Sequence, residues 1–239
     1  MLIKHLLPLF LLSPCVLIAA DNQTNFWSGN IDFGYQKFTG NTDEETINGE
    51  IKLVREHQAW KWVNHARLLY SEVDSQRNAE KYDFATYLSY NFTDNAYVFG
   101  RIVYETDKFS GFDYQVNYVA GFGWNIYELK KFTWDAEAGA GYRTSAIRPP
   151  STEKNQDEAI ATLSTKLQWQ MTDNTEFNQY VSYEVGEDLN ITYSNSELSV
   201  GLMDNLALKL SYNIKHSSKV PVNTDKTDSE TLLSLSYAF

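Results

Sequence analysis

At 239 residues, with 15% aromatic residues and a net charge of −11, the chain is long enough for one all-β domain. The acidic balance excludes nucleic acid as a partner, because phosphate binding needs a basic face. One cysteine excludes a disulfide framework within the chain.

The N-terminus reads as a secretory signal peptide. Met1 to His5 is short and positive, residues 6–18 are almost entirely apolar, and Ala19-Ala20 precede Asp21. The apolar run is too short for a membrane-spanning helix, which needs about 20 residues. Pro14 before Cys15 spoils a lipoprotein processing site, so cleavage is expected after Ala20. This divides the chain into a signal peptide, 1–20, and one β-barrel domain, 21–239. After cleavage no thiol remains.

From there on the dominant signal is period-two alternation, the mark of strands with two unlike faces. In chain order, about twelve segments show it: 26–38, 45–56, 59–72, 80–92, 95–106, 111–126, 131–143, 158–171, 174–186, 189–203, 206–217 and 229–239. The clearest run sets Phe112, Tyr114, Val116, Tyr118, Ala120, Phe122 and Trp124 against Asp113, Gln115, Asn117, Val119, Gly121, Gly123 and Asn125. Each segment is long enough for a tilted strand of about 9–11 residues to cross a hydrocarbon layer.

The connections alternate between tight turns, near 56–58, 93–95, 128–130, 172–174 and 204–205, and others near 39–44, 73–79, 107–110, 144–157, 187–188 and 218–228. Most of the second group are longer and more polar. Such sorting belongs to transmembrane barrels, with short periplasmic turns, longer external loops and an even strand count that leaves no open edge. Aromatic residues gather near the strand ends, as two interfacial girdles require. Trp60, Trp62, Tyr90, Trp124 and Trp169 lie beside the short turns; Tyr70, Tyr82, Tyr104, Phe112 and Tyr142 lie beside the long loops. The last segment alternates Leu233, Leu235, Tyr237 and Phe239 with small residues. Its terminal aromatic reads as an assembly signal for the outer-membrane insertion machinery. The fold expected is therefore an all-β transmembrane antiparallel barrel of about twelve strands in the outer membrane.

The Trp27-Ser28-Gly29-Asn30 strand, the Thr39-Gly40-Asn41-Thr42-Asp43 loop and the Lys215-His216-Ser217-Ser218 to Phe239 ending resemble the family of salt-induced outer-membrane proteins. The resemblance runs over the whole chain after the signal peptide. It implies an outer-membrane location and supplies no catalytic residues.

Three functions follow as alternatives. The favoured one is a non-enzymatic barrel, either a narrow porin-like channel or a structural, envelope-stress protein. In the assigned phase its lumen receives Glu50, Lys52, Arg67, Lys81, Asp83, Arg101, Asp113, Asp135, Glu137, Lys166, Glu176 and Lys209. It also receives Lys61, His65, Glu105, Arg143, Glu184, Glu197 and Lys215. Opposite charges there should pair, because a lone buried charge is costly. The acidic balance of the chain as a whole suggests an interior that favours cations.

The second reading is a lipid hydrolase. His216 and Ser218 share one strand face by their i, i+2 spacing, with Glu230 as third member. Phase weighs against it, since Glu230 falls on the lumen face. The third reading is a soluble periplasmic barrel that binds a ligand inside. The acidic loops Asp43-Glu44-Glu45, Asp157-Glu158 and Glu187-Asp188 lack ordered cation-ligand spacing. Scattered histidines give no zinc site, and no cofactor motif is present. The expected partners are outer-membrane lipid and lipopolysaccharide, the assembly machinery, and small ions or solutes.

Overall fold

The computed structural model describes residues 27–40, 43–110, 112–147, 156–220 and 225–239. The expected signal peptide and the middle of the 144–157 loop lie outside the described residues. Twelve antiparallel strands form one closed ring. They are β1 (Trp27–Phe38), β2 (Glu44–His57), β3 (Trp60–Val73), β4 (Gln76–Asn91), β5 (Ala96–Asp107) and β6 (Phe112–Leu129). The second half comprises β7 (Phe132–Ile147), β8 (Gln156–Thr172), β9 (Thr175–Gly186), β10 (Ile191–Met203), β11 (Leu206–Ser217) and β12 (Thr227–Ala238).

The ring closes between β1 and β12. Asn30 to Phe33 pair with Ala238 to Leu235, and Gly29 and Phe239 exchange backbone hydrogen bonds of 3.0 Å each. Two side-chain straps span this seam inside the barrel. Asn48 Nδ2 of β2 reaches past Gly34 to donate to Ser234 Oγ of β12 at 2.7 Å. Lys209 of β11 reaches across β12 to Asp32 of β1.

Alternation sorts the two faces as the sequence requires. Phe33, Tyr82, Phe84, Leu88, Tyr118, Phe122, Leu163, Leu210 and Leu235 are exposed on the outside. Asp32, Arg143, Glu158, Glu184 and Lys209 are buried within. An apolar outside around a charged inside is the arrangement of a barrel solvated by lipid. It does not fit a soluble ligand-binding barrel, whose outer face would be polar. Aromatic pairs stand near the strand ends, including Trp60–Tyr90 at 4.8 Å and Trp27–Trp62 at 5.3 Å between ring centroids by the short turns. Tyr104–Tyr114 stack near the long loops.

Local expectations fail at two hairpins, for identifiable reasons. The 73–79 connection is a two-residue turn, because β4 begins at Gln76. Asp74 and Ser75 both have positive φ, at 49° and 63°, as a type I′ hairpin turn demands. Asp-Ser lacks the glycine that announces such a turn. The geometry is braced from the neighbouring loop: Asp74 N donates to Asp43 O at 2.7 Å, and Asp43 N donates to Asp74 Oδ1 at 2.9 Å. The other failure is at the start of β6. A bulge between Phe112 and Tyr114 leaves Asp113 exposed and turns Phe112 inward. Phe112 packs with Ile147, Leu189 and Ile191 instead of joining the outer girdle.

Gly141 on β7 shows how closely two strands approach. A Cβ there would collide with the Tyr118 carbonyl oxygen, a backbone atom that cannot move without breaking the β6–β7 ladder. Gly141→Ala should therefore lower refolding yield sharply, read as loss of the heat-modifiable folded band on a gel. A folded yield equal to wild type would refute this account of the glycine.

Candidate functional site

The functional space is the lumen. Three layers of side chains cross it, each built from residues that the period-two pattern turns inward.

The first layer lies at the short-turn end. Two cavities of about 570 and 600 Å³ lie there and share Lys52, Lys166, Gln168 and Tyr180 in their walls. Glu50 is occupied by His65 Nε2 at 3.2 Å and by Lys209 at 3.4 Å. Lys209 also holds Glu197 at 2.9 Å and Asp32. Glu137 accepts hydrogen bonds from Tyr87 (2.7 Å), Tyr97 (3.1 Å) and Ser164 (3.1 Å), so three strands converge on one carboxylate. Glu176 accepts from Asn178 at 2.7 Å.

The middle layer is a girdle of cross-lumen bonds. Arg67 holds Asp83 at 2.6 Å and Glu230 at 3.2 Å. Lys81 holds the other Glu230 oxygen at 2.6 Å and Asp107 at 3.1 Å. Arg101 donates to Tyr180 Oη at 2.8 Å and lies 3.6 Å from Glu184. Lys215 pairs with Glu105. β5 and β11 stand half-way round the ring from each other, so this last pair spans the barrel. Cavities of about 320 and 180 Å³ lie among the girdle residues and share Arg67, Tyr180 and Tyr193 in their walls.

The third layer lies at the long-loop end. Arg143 is fully buried; it donates to Glu158 Oε1 at 2.6 Å, to Glu184 at 3.4 Å and to the Leu189 carbonyl. The other Glu158 oxygen accepts from the backbone N–H of Asp188 at 2.8 Å and of Leu189 at 3.4 Å. The β9–β10 loop is thereby drawn into the mouth, where Leu189 packs on Phe112, Ile147 and Ile191.

Placement of the expected residues follows from this. Glu50, Lys52, Arg67, Lys81, Asp83, Arg101, Asp135, Glu137, Lys166, Glu176 and Lys209 lie in the lumen; Asp113 does not, for the bulge moves it out. Sequence reasoning passed over three lumen tyrosines: Tyr97, which donates to Glu137, Tyr180, which accepts from Arg101, and Tyr193, which donates to Asn213. Their signal was available, since each falls on the polar phase of its strand. It also passed over Leu189, which was expected to begin a strand and instead plugs the mouth.

The hydrolase triad does not assemble. His216 Nδ1 is 2.7 Å from Thr227 Oγ1 on an exposed site. Ser218 Oγ accepts from Asn190 N at 2.9 Å, and Ser218 N donates to Asn190 O at 2.9 Å, so this serine clamps the β9–β10 loop. Glu230 belongs to the girdle. Among the described residues no group of three acidic, histidine or cysteine side chains converges as a metal site.

Comparison with known proteins places this architecture. The NanC porin is similar in fold, with a TM-score of 0.54 at 10% identity over 88% of this chain and 98% of that one. An outer membrane channel from Pseudomonas putida F1 is similar, with a TM-score of 0.50 at 10% identity over 92% of this chain and 97% of that one. So is the translocator domain of the autotransporter NalP from Neisseria meningitidis, with a TM-score of 0.50 at 8% identity over 91% and 90%. These likenesses concern the fold alone. In sequence the chain is 27% identical to the "Uncharacterized protein YdiY" of Escherichia coli K12, over 89% of this chain and 83% of that protein. The model of a family described as "Protein of unknown function, DUF481" matches residues 31–239, nearly the whole barrel, and the chain belongs to that family.

Proposed function

We propose that this protein is a narrow outer-membrane channel for small ions, exported by its N-terminal leader and inserted through its Phe239-ended strand. One observation carries the reading: charged cavities follow one another along the lumen and share walls, and the obstacles between them are side-chain bridges rather than a plug domain. Eight strands enclose only packed side chains, and 16–18 leave a wide pore. Twelve strands with a cross-linked interior fit small, low-conductance passage between these limits. Acidic residues outnumber basic ones on the inner wall, so cations should pass more readily than anions. A single buried cross-lumen pair is a modest obstacle, because it can exchange partners with entering ions and water.

The test is single-channel recording of the refolded barrel in a planar bilayer, with heat-modifiable mobility as folding control. Small regular steps whose reversal potential favours potassium over chloride are expected. A folded barrel that gives no steps would sink the channel reading and leave a structural role.

A further inference from the structure

Buried polar atoms in folded proteins are nearly always hydrogen-bonded. Arg101 Nε and Asn117 Oδ1 are buried without a partner among the described residues. Both residues line one volume, the girdle cavity of about 320 Å³. They stand close together on its wall. Arg101 faces Val119 and Asn117 faces Val103 in the β5–β6 register, which makes the two diagonal neighbours on the inner face. Both also reach the same carboxylate. Asn117 Nδ2 donates to Glu184 Oε2 at 3.0 Å, and Arg101 Nη2 lies 3.6 Å from Glu184 Oε1. One N–H donor and one carbonyl acceptor are thus left over beside Glu184.

The charges around this cavity balance and are engaged. Arg67, Arg101 and Lys215 line it together with Asp83, Glu105 and Glu184, three cations against three carboxylates. Arg67 holds Asp83, Lys215 holds Glu105, and Glu184 is shared by Arg143, Arg101 and Asn117. His65, also in the wall, is turned to Glu50. These side chains favour an ion of neither sign. Much of the remaining wall is apolar. Ala85, Val103 and Ile191 contribute to it, and the rings of Tyr180 and Tyr193 meet there at 6.1 Å between centroids with a 53° tilt. A concave wall of apolar and aromatic groups with a few convergent polar atoms is the pattern of a small-molecule site.

The leftover atoms and the rings narrow the ligand. A hydroxyl both donates and accepts, so neighbouring hydroxyls can satisfy Arg101 Nε and Asn117 Oδ1 together. A C–H face of the same molecule can lie on the tyrosine rings. The volume is at the lower end of small-molecule pockets, about 300–1,000 Å³, which suits one six-membered sugar ring rather than a chain of them. We infer that the girdle cavity is a binding subsite for a neutral, monosaccharide-sized polyhydroxyl solute, held by Arg101, Asn117, Tyr180 and Tyr193. It is reached from the short-turn end, where Arg101 and Tyr180 also line the 600 Å³ cavity. The subsite rests on the channel reading for passage of the solute, whereas binding requires only the folded barrel.

The experiment measures D-glucose binding to the refolded barrel by saturation-transfer NMR, in a detergent without sugar headgroups. Heat-modifiable mobility checks that every variant is folded. Wild type should bind. Asn117→Leu and Tyr193→Leu should each weaken binding about fivefold, through the lost acceptor and the lost ring. Tyr193→Phe keeps the ring and should keep most of the affinity. Gln168→Ala, in the walls of the short-turn cavities, should change nothing. Glucuronate, the same ring carrying a carboxylate, should bind more weakly than glucose. Absence of glucose binding by folded wild type overturns the subsite, and so does undiminished binding by the Asn117→Leu, Tyr193→Leu double variant. Glucuronate binding as tight as glucose overturns the choice of a neutral solute. Ion current without glucose binding would overturn the subsite and leave the channel reading standing; glucose binding by a barrel that gives no current would do the reverse.

Discussion

Replacing Arg143 with methionine is expected to destabilise the folded barrel more than any other single lumen substitution, by about 3–5 kcal/mol. The guanidinium is fully buried and is the cation that Glu158 and Glu184 share. Its removal leaves Glu158 without a cation among the described residues in a low-dielectric interior, leaves Glu184 only Arg101 at 3.6 Å, and releases the Leu189 carbonyl. The β9–β10 loop then keeps the Glu158 contacts of its backbone N–H groups, the Asn190–Ser218 clamp, the exposed Lys219–Asp188 pair and the Leu189 cluster. Urea titration in micelles, followed by tryptophan fluorescence, reads the loss. Arg143→Lys should fall between wild type and methionine, because it keeps the charge and loses the fork that reaches several acceptors at once. If Arg143→Met unfolded at the wild-type midpoint, the buried triad would contribute nothing and the closed mouth would need another cause. If the loop is what restricts passage, the same variant should also give larger and noisier current steps.

The second large effect is expected from Glu105 and Lys215. This pair spans the barrel between opposite strands, so removing both side chains removes one bar of the girdle. Glu105→Ala with Lys215→Ala should raise single-channel conductance by about twofold or more, since the narrowest part of a pore dominates its resistance. Stability should follow a different order. Each single variant leaves an unpaired charge in the lumen and should be less stable than the double variant, where neither charge remains. Both groups keep some contact with lumen water, so the single losses should be smaller than that for Arg143. Unchanged conductance in a folded double variant would show that the restriction lies elsewhere, with the Leu189 plug the next element to test.

The membrane placement connects these predictions. A lumen closed by side chains rather than by a separate domain can be opened in steps, one bond at a time. The lipid-facing surface sets no such limit. Its residues need only be apolar and pack at low density against mobile chains, which is why long stretches of β4, β6 and β12 read plainly as alternating aromatic and aliphatic positions.

That contrast divides what the sequence determined from what only the tertiary structure decided. Strand number and the inward or outward face of most side chains followed from a period of two, because a strand has no other way to present unlike faces. β11 runs from Leu206 to Ser217 as expected, and most other strands agree within a few residues. Pairing inside the lumen was another matter. Glu105 and Lys215 are 110 residues apart, and Lys209 and Asp32 are 177 apart. Nothing local to either residue specifies the other; closure of the ring brings them together. The bulge that turns Asp113 out and Phe112 in, the glycine-free turn at Asp74-Ser75 and the inward fold of Leu189 were hidden for a related reason. Each is held by contacts from a neighbouring loop or strand, and these outweigh the preference of the local sequence.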